Sequence, residues 1–196
     1  MHSTSRCFIA IEIPAEIQKK LSIVISNSQL TVPNGFRPVR SGMIHVTLKF
    51  LGDTTQEQVK SLQRSLDQIS SISSVLDLNV RGIGVFSSWS HPRTIWAGLI
   101  GNAELINLAS KVNQICIPLG FPSETRPFSP HLTLARVTEH INPQKTRQSM
   151  EQLRQYQDSD FGSFLADHLT LFHSTLAPGG SIYSPISIHQ FQSKKV

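Results

Sequence analysis

Three strings of the type His-apolar-Thr-Leu are the residues of this chain best suited to chemistry. They begin at His45, His131 and His168. In a β-strand, residues two apart point to the same face, so each string presents an imidazole beside a hydroxyl. Two such strings facing one another would supply an acid, a base and two neutral hydrogen-bond donors. Cleavage of a phosphodiester without a metal ion requires a set of groups of this kind.

The segments that carry the first two strings alternate apolar and polar residues, which predicts strands with one buried face. In residues 44–50, the side chains predicted to face the core are Ile44, Val46, Leu48 and Phe50. Those predicted to lie on the other face are His45, Thr47 and Lys49. Around His131, the residues predicted to face the core are Leu132 and Leu134. Both histidines should therefore point away from the core.

The first half of the chain predicts a strand, a helix, the strand of the first string, a second helix and a third strand. The first strand spans residues 7–13, and Pro14 suits the first turn of the helix that follows. Thr54 and Glu57 form a capping-box pattern that opens the second helix. A strand over 75–86 ends this half of the chain.

The second half predicts the same order of elements, which indicates an internal duplication with pseudo-two-fold symmetry. A strand over 94–100 precedes an amphipathic helix that ends near Gly120. After the strand of the second string, a helix spans about 143–156 and a strand spans 167–174. A final strand covers about 181–191.

The duplication also ranks the three strings. His45 and His131 occupy equivalent places, 86 residues apart, whereas His168 falls where the first half has residues 76–78. The third string is therefore predicted to be structural, with His168 and Thr170 facing solvent or pairing across the sheet.

Length and composition are those of a globular protein. At 196 residues, we expect one domain over 1–196, formed by two repeated lobes with a boundary near 87–93. The net charge of +5 favours an anionic partner, although a basic surface without a ligand has the same composition. Cys7 and Cys116 are predicted to be buried thiols, which fits a reducing cytoplasm. No apolar stretch approaches about 18 residues, so we expect neither a secretory signal nor a membrane span.

The two strings resemble, with their flanking residues, the signature motifs of the 2H phosphoesterases. These are His45-Val46-Thr47-Leu48-Lys49-Phe50-Leu51-Gly52 and Arg126-Pro127-Phe128-Ser129-Pro130-His131-Leu132-Thr133-Leu134-Ala135-Arg136. Within that superfamily the chain is most similar to the RNA 2′,3′-cyclic phosphodiesterases, historically called 2′-5′ RNA ligases. The similarity extends to residues 8–11, 94–98 and 178–180, and so covers nearly the whole chain. It implies an α+β fold in which two lobes of largely antiparallel sheet, backed by helices, enclose a cleft.

The resemblance also implies a reaction and the residues that perform it. The substrate would be RNA, or an oligonucleotide, with a 2′,3′-cyclic phosphate end that water opens to a 2′-phosphate. His45 matches the proton donor to the departing 3′ oxygen, and His131 matches the base that activates water. Thr47 and Thr133 would donate hydrogen bonds to the non-bridging phosphate oxygens. Neither a metal ion nor a cofactor is expected, and the protein should be a cytoplasmic monomer.

Three basic residues are candidates for binding the phosphate. Arg136 matches the arginine that lies next to the family's second motif and could add a charge-assisted contact. Strict alternation places Arg136 on the face opposite His131, so this role requires a strand end, a twist or a β-bulge. Arg126 and Lys49 are the other candidates, unless they are solvated or structural charges.

The loops add candidates for base recognition and one departure from the family. Phe36, Trp89 and Phe128 lie in predicted loops, where one of them could stack on a base, although simple packing is the favoured explanation for each. Residues 87–91, Ser-Ser-Trp-Ser-His, replace the loop rich in proline and arginine that relatives usually carry. The preference for one kind of RNA end is therefore open.

Three other functions remain alternatives at this point. A non-catalytic RNA-binding sheet would explain the charge, but it would leave the paired motifs without a purpose. A metal hydrolase could use the same histidines as ligands, although no third ligand occurs at a familiar spacing. A different 2H activity, such as RNA end joining or cleavage of another cyclic phosphate or of a 2′-5′ linkage, would use the same groups.

Overall fold

In the part of the chain that the structure describes, the strands form one curved sheet, accompanied by four α-helices. A computed structural model describes residues 4–100, 103–138, 142–177 and 180–192. The strands are β1 (Thr4–Glu12), β2 (Phe36–Pro38), β3 (His45–Thr55), β4 (Leu76–Ser87), β5 (Pro92–Ile100), β6 (His131–Val137), β7 (Asp160–Ala166), β8 (His168–Ala177) and β9 (Gly180–Gln190). The helices are α1 (Ala15–Asn27), α2 (Gln56–Ser70), α3 (Ala103–Cys116) and α4 (Pro143–Arg154). Pro178 and Gly179, part of the similarity noted above, lie outside the described residues.

The sheet is antiparallel in every named strand pair, which confirms the predicted α+β class. Its order is β7-β4-β5-β6-β3-β1-β8-β9, and β2 pairs with β6. The two halves of this order are related by pseudo-two-fold symmetry, because β6 corresponds to β3, β5 to β1 and β4 to β8. They meet between β3 and β6, where the ladder holds the single partner pair Val46 and Leu132. The strands of the two histidine strings therefore diverge from one another at the centre of the sheet.

The lobes exchange their last strands. The third strand of the first half, β4, pairs with β5 and β7 in the second lobe. The corresponding strand of the second half, β8, pairs with β1 and β9 in the first lobe. Residues 87–93, where we expected the repeat boundary, lie at the turn of the β4–β5 hairpin. Each lobe is thus completed by a strand from the other half of the sequence.

Most of the predicted elements occur with small shifts. Helix α1 buries the expected stripe of Ile17, Leu21 and Val24. The capping box of α2 uses Thr55 and Gln58, one residue later than we expected, because the Gln58 side chain accepts from the Thr55 backbone N–H. Strand β7 was not predicted: the sequence indicates a weakly patterned helix over about 143–156 and then no strand before residue 167.

One predicted face is wrong, and a β-bulge explains it. Phe50 was expected in the core and Lys49 on the opposite face, yet Phe50 is 62% exposed and Lys49 is 1% exposed. In the pairing of β1 with β3, Ile9 is opposite Lys49 and Ala10 is opposite Thr47, so Leu48 is an extra residue. An extra residue reverses the alternation beyond it. The prediction for Ile44, Val46 and Leu48, which precede the reversal, is confirmed.

Both cysteines are free and buried, as expected. Burial raises the pKa of the Cys116 thiol to about 11, and it also raises the pKa of the Cys7 thiol. Thiols with raised pKa values stay protonated at neutral pH and are poor nucleophiles. These two residues therefore serve as small core residues and take no part in the chemistry.

Candidate active site

A cavity of about 740 Å³ lies where β3 and β6 diverge. The histidine and the threonine of each of the first two strings line it, together with all three predicted basic residues. The lining polar and aromatic side chains that concern us are His45, Thr47, His131, Thr133, Lys49, Arg126, Arg136, Phe50, Phe128 and Tyr183. The structure therefore brings the seven predicted site residues to one cavity, although they come from segments about 80 residues apart in sequence.

His45 and His131 are fixed in the same way. The Nδ1 of His45 lies 2.8 Å from the carbonyl oxygen of Met43, and the Nδ1 of His131 lies 2.8 Å from that of Ser129. A carbonyl oxygen only accepts, so Nδ1 carries the hydrogen in both rings. Each ring therefore keeps Nε2 for chemistry, either as a base or, when protonated, as an acid.

The residues that begin at His45 in β3 and at His131 in β6 show the same pattern of burial. From His45 and from His131, successive residues are half-buried, buried, half-buried, buried, buried and exposed. The buried pair arises from a bulge in each strand, at Leu48 in β3 and at Leu134 in β6. Each bulge comes after the threonine, so the hydroxyls of Thr47 and Thr133 lie on the same face as the rings that precede them by two residues.

Aromatic side chains pack against both imidazoles. Phe8 lies 4.9 Å from the His45 ring, and Tyr183 meets that ring edge-on at 5.1 Å. Phe86 meets the His131 ring edge-on at 4.8 Å. These contacts restrict ring rotation and remove water from one side of each imidazole. They also place each ring in surroundings of low polarity.

Burial lowers the pKa of both histidines below the ordinary value of 6.5. For His45, the bond to the Met43 carbonyl and the charge of Glu12 oppose this effect, whereas Arg136 and His131 add to it. For His131, the bond to the Ser129 carbonyl opposes the effect and Arg136 adds to it. Arg136 lines the same cavity as both rings, and its positive charge disfavours the imidazolium form of each.

Arg136 reaches the cavity because of the bulge in β6. Ile95 pairs with Ala135 and Trp96 pairs with Thr133, which leaves Leu134 without a partner. The alternation reverses beyond Leu134, and Arg136 lines the cavity although it is five residues from His131. A β-bulge is one of the three features named above, any one of which would allow Arg136 to reach the face of His131.

The two other basic candidates differ in their surroundings. Arg126 lies in the irregular segment before β6 and lines the cavity. The Lys49 ammonium is buried, and it donates to the Pro122 carbonyl at 2.8 Å and to Asn113 Oδ1 at 3.0 Å. Glu124 Oε1 lies 3.4 Å away. Through these partners Lys49 holds the segment that contains Arg126 in place. We therefore assign no phosphate contact to Lys49.

The third string lies on the sheet outside the cavity lining. His168 Nδ1 is 2.6 Å from Asp167 Oδ1, and its Nε2 is 3.4 Å from Glu12 Oε2. The Thr170 hydroxyl donates to the same Glu12 oxygen at 3.1 Å. Of the two placements predicted for this string, exposure to solvent or pairing across the sheet, the structure shows the second.

The three aromatic candidates for base stacking differ in their burial and in their contacts. Phe36 is fully buried in β2 and cannot stack on a ligand. Trp89 is partly buried, and the Arg154 guanidinium lies 4.9 Å above its ring. Phe128 is partly buried and lines the cavity. Phe50 and Tyr183 also line the cavity, which the sequence does not indicate, because the bulge in β3 and the pairing of β8 with β9 bring them there.

Within the described parts of the chain, no three His, Cys, Asp or Glu side chains cluster in a way that could hold a metal ion. None of the helices described is both long and apolar enough to cross a membrane.

Comparison with known proteins points to one family. A profile of the family described as LigT like Phosphoesterase matches residues 11–96 and 100–183, which correspond to the two repeated halves. The RNA 2′,3′-cyclic phosphodiesterase of Methanocaldococcus jannaschii is 33% identical over 181 residues. This alignment covers 92% of the present chain and 98% of that protein.

Solved structures show the same fold. The protein TT0787 of Thermus thermophilus superimposes with a TM-score of 0.78 at 22% identity, over 97% of this chain and 100% of that one. Escherichia coli LigT complexed with 3′-AMP superimposes with a TM-score of 0.76 at 26% identity. That match covers 96% of this chain and 99% of the other.

Proposed function

Because the chain belongs to the LigT-like phosphoesterase family, we propose that it hydrolyses 2′,3′-cyclic phosphate ends of RNA or oligonucleotides to 2′-phosphomonoesters. The observation that carries the proposal is the pair of equivalent histidines that line one cavity, each with Nδ1 bound to a backbone carbonyl. The resemblance drawn from the sequence is confirmed at the level of the family. The reaction and the role of each residue are our proposal.

In the proposed reaction, His131 Nε2 takes a proton from water as the water oxygen attacks phosphorus. The bond from phosphorus to the 3′ oxygen breaks, and His45 Nε2 gives its proton to that oxygen. The product carries a 2′-phosphate and a 3′-hydroxyl. Thr47 and Thr133 donate to the non-bridging oxygens, whose negative charge grows in the transition state, and Arg136 adds a positive charge.

The decisive experiment is turnover of a nucleoside 2′,3′-cyclic phosphate with identification of the product. We expect the 2′-monoester as product and the same rate after dialysis against a chelator, because the proposed acid and base are both imidazoles. Retained RNA binding without turnover would instead favour a binding protein. Loss of turnover on chelation would favour a metal hydrolase, and a joined RNA product would favour end joining.

The rate is expected to have a bell-shaped pH profile with its optimum on the acid side of 6.5. The reaction requires neutral His131, so the rate rises with pH through the pKa of that residue. It requires protonated His45, so the rate falls as pH passes the pKa of that ring. Burial lowers both pKa values from 6.5, so both limbs of kcat/KM for the free enzyme move to lower pH. A profile that stays flat between about pH 5 and 8 would contradict this division of roles.

A second cavity supports RNA, rather than a mononucleotide, as the substrate. It has a volume of about 680 Å³ and shares Arg136, Tyr183, Val39 and Met43 with the first. Arg37 and Arg40 also line it, and none of the described residues in its lining is acidic. A strand that leaves the catalytic cavity past Arg136 would thus meet two further cations.

The placement of Arg37 strengthens this interpretation. It is the direct partner of Arg136 in the pairing of β2 with β6. Like charges directly opposite one another destabilise a sheet, and an anion between them would relieve the repulsion. We propose that this second cavity holds backbone phosphates of the nucleotides that precede the cyclic end.

The double variant Arg37→Ala/Arg40→Ala is expected to lower activity on long substrates and to leave activity on short ones nearly unchanged. For an oligonucleotide with a cyclic end, kcat/KM should fall by about tenfold or more at low salt, and its salt dependence should weaken. For a nucleoside 2′,3′-cyclic phosphate, kcat/KM should change by less than about twofold, because that substrate does not reach the second cavity. Arg64→Ala, which removes an exposed charge from α2, is the matched control. Equal losses on both substrates would contradict the proposed path of the strand.

We also propose that the protein is a monomer and acts in the cytoplasm, in keeping with its two free, buried thiols. Light scattering of the purified protein tests the oligomeric state.

A further inference from the structure

The third His-x-Thr string repeats the first one across strand β1. Ala10 of β1 has Thr47 of β3 as its partner on one side and Thr170 of β8 as its partner on the other. Residues directly opposite one another in a sheet point to the same face. The two threonines therefore flank Ala10 on the face that carries the catalytic groups.

Glu12 occupies the corresponding place between two histidines. It is the partner of His45 in the pairing of β1 with β3. The register of β1 with β8, continued by two residues, places His168 opposite Glu12 on the other side. The row His45, Glu12, His168 thus runs beside the row Thr47, Ala10, Thr170.

Strand β8 holds the Glu12 carboxylate. Its Oε2 accepts from the Thr170 hydroxyl at 3.1 Å, and His168 Nε2 lies 3.4 Å from the same oxygen. Thr170 has 0% exposure, so its hydroxyl has no alternative partner in bulk water. The His168 ring is fixed in turn by Asp167, whose Oδ1 lies 2.6 Å from Nδ1.

The other lobe lacks this arrangement at the equivalent positions. The partner of His131 across the sheet is Gly98, where His45 has Glu12. Gly84 corresponds to Thr170, because it is opposite Trp96 as Thr170 is opposite Ala10. Added Cβ atoms at Gly84 and Gly98 would lie 2.3 Å and 3.4 Å from the Trp96 ring. An indole therefore occupies, beside His131, the space that a carboxylate and its partners occupy beside His45.

The charged and titratable groups around His45 come from three strands. Glu12 faces it from β1, His131 and Arg136 face it from β6, and Tyr183 packs on it from β9. Glu12 favours the positive form of the ring, whereas His131 and Arg136 oppose it. By contrast, Gly98 stands opposite His131 where His45 has the Glu12 carboxylate, and Arg136 favours the neutral form of His131.

We propose that Glu12, held by Thr170 and His168, is a positioning residue whose carboxylate stabilises the imidazolium form of His45, which makes His45 rather than His131 the proton donor. This inference rests on the proposed function, and it explains why two equivalent histidines take different roles. The residue acts through His45 and does not contact the substrate.

The variant Glu12→Gln tests the proposal by NMR titration of the histidine rings, which requires no turnover. We expect the midpoint of His45 to fall by about half a pH unit, while that of His131 changes less. In the kcat profile, the alkaline limb should move to lower pH by the same amount, because His45 must be protonated to react. Glu12→Asp should restore part of the shift. An unchanged His45 midpoint in a folded Glu12→Gln variant would overturn the proposal.

Two further variants test the contribution of the third string. Thr170→Val and His168→Gln should each move the His45 midpoint in the same direction by a smaller amount, since each loosens the Glu12 carboxylate. Glu16→Gln, which removes an exposed carboxylate from α1, is the matched control and should leave the midpoint unchanged. If Glu12→Gln shifts the midpoint and neither of the other variants does, the anchoring by β8 is overturned.

The titration also separates this inference from the proposed function. If the protein hydrolyses no cyclic phosphate, the proposed function fails, yet the His45 midpoint still reports whether Glu12 supports the imidazolium. If hydrolysis proceeds with unaltered midpoints, the function holds and the role of Glu12 is wrong.

Discussion

Replacement of His45 or His131 by alanine is expected to lower kcat for a 2′,3′-cyclic phosphate by about 10² to 10⁴. Each substitution removes one of the two groups that move protons, and no neighbouring group can replace it. The double variant should lose little more than the worse single variant, because the two groups act in one step.

Asparagine makes the sharper substitution at both positions. Its side-chain amide can donate to the Met43 or Ser129 carbonyl as Nδ1 does, but it has no atom at the place of Nε2. We expect His45→Asn and His131→Asn to fold like the parent and to be as inactive as the alanine variants. His91→Asn, which replaces an exposed histidine outside the cavity lining, is the control and should keep full turnover. His168→Ala, which only loosens Glu12, should keep most of the turnover near the pH optimum. An Asn variant that keeps more than about a tenth of kcat would contradict the assignment of Nε2 as the reacting atom.

Arg136→Ala is expected to lower kcat/KM by about 10- to 100-fold, because a charge-assisted hydrogen bond to phosphate contributes about 1.5–3 kcal/mol. The variant should also move both limbs of the pH profile to higher pH. The Arg136 charge lowers the pKa of His45 and of His131, so its removal lets both values rise. A residue that served only the fold would not move the two limbs together.

Two variants qualify this result. Arg136→Lys keeps the charge but loses the planar fork, so the pH profile should return to that of the parent while part of the loss in kcat/KM remains. Arg64→Ala removes a charge from the outer surface of α2 and should alter neither quantity. If Arg136→Ala lowers the rate without shifting the limbs, Arg136 does not lie close to the two rings.

The catalytic candidates could be predicted from the sequence because the face on which a strand residue lies follows from its local alternation. His45 and Thr47 share a face through the two-residue period of a strand, and the same holds for His131 and Thr133. The apolar residues between them fix which face is buried. The duplicated order of elements then identified the two equivalent histidines without any knowledge of the fold.

The bulges at Leu48 and Leu134 could not be read in the same way. Each depends on the partner strand, since the extra residue exists only relative to β1 or β5. The sequence therefore assigned Phe50 to the wrong face and left the position of Arg136 open. The same reversal buries Lys49, whose partners at Asn113 and Pro122 are more than 60 residues away.

The sequence by itself determined the types of most elements, the class of fold, the pair of histidines and the family, because these follow from local periodicity and from short motifs. The tertiary structure alone decided how the halves exchange β4 and β8 and which cations line the cavity. It also placed Glu12 between His45 and the third string. These features arise from pairings between distant strands, and the register of such a pairing is settled only when the whole sheet closes its hydrogen bonds and buries its core.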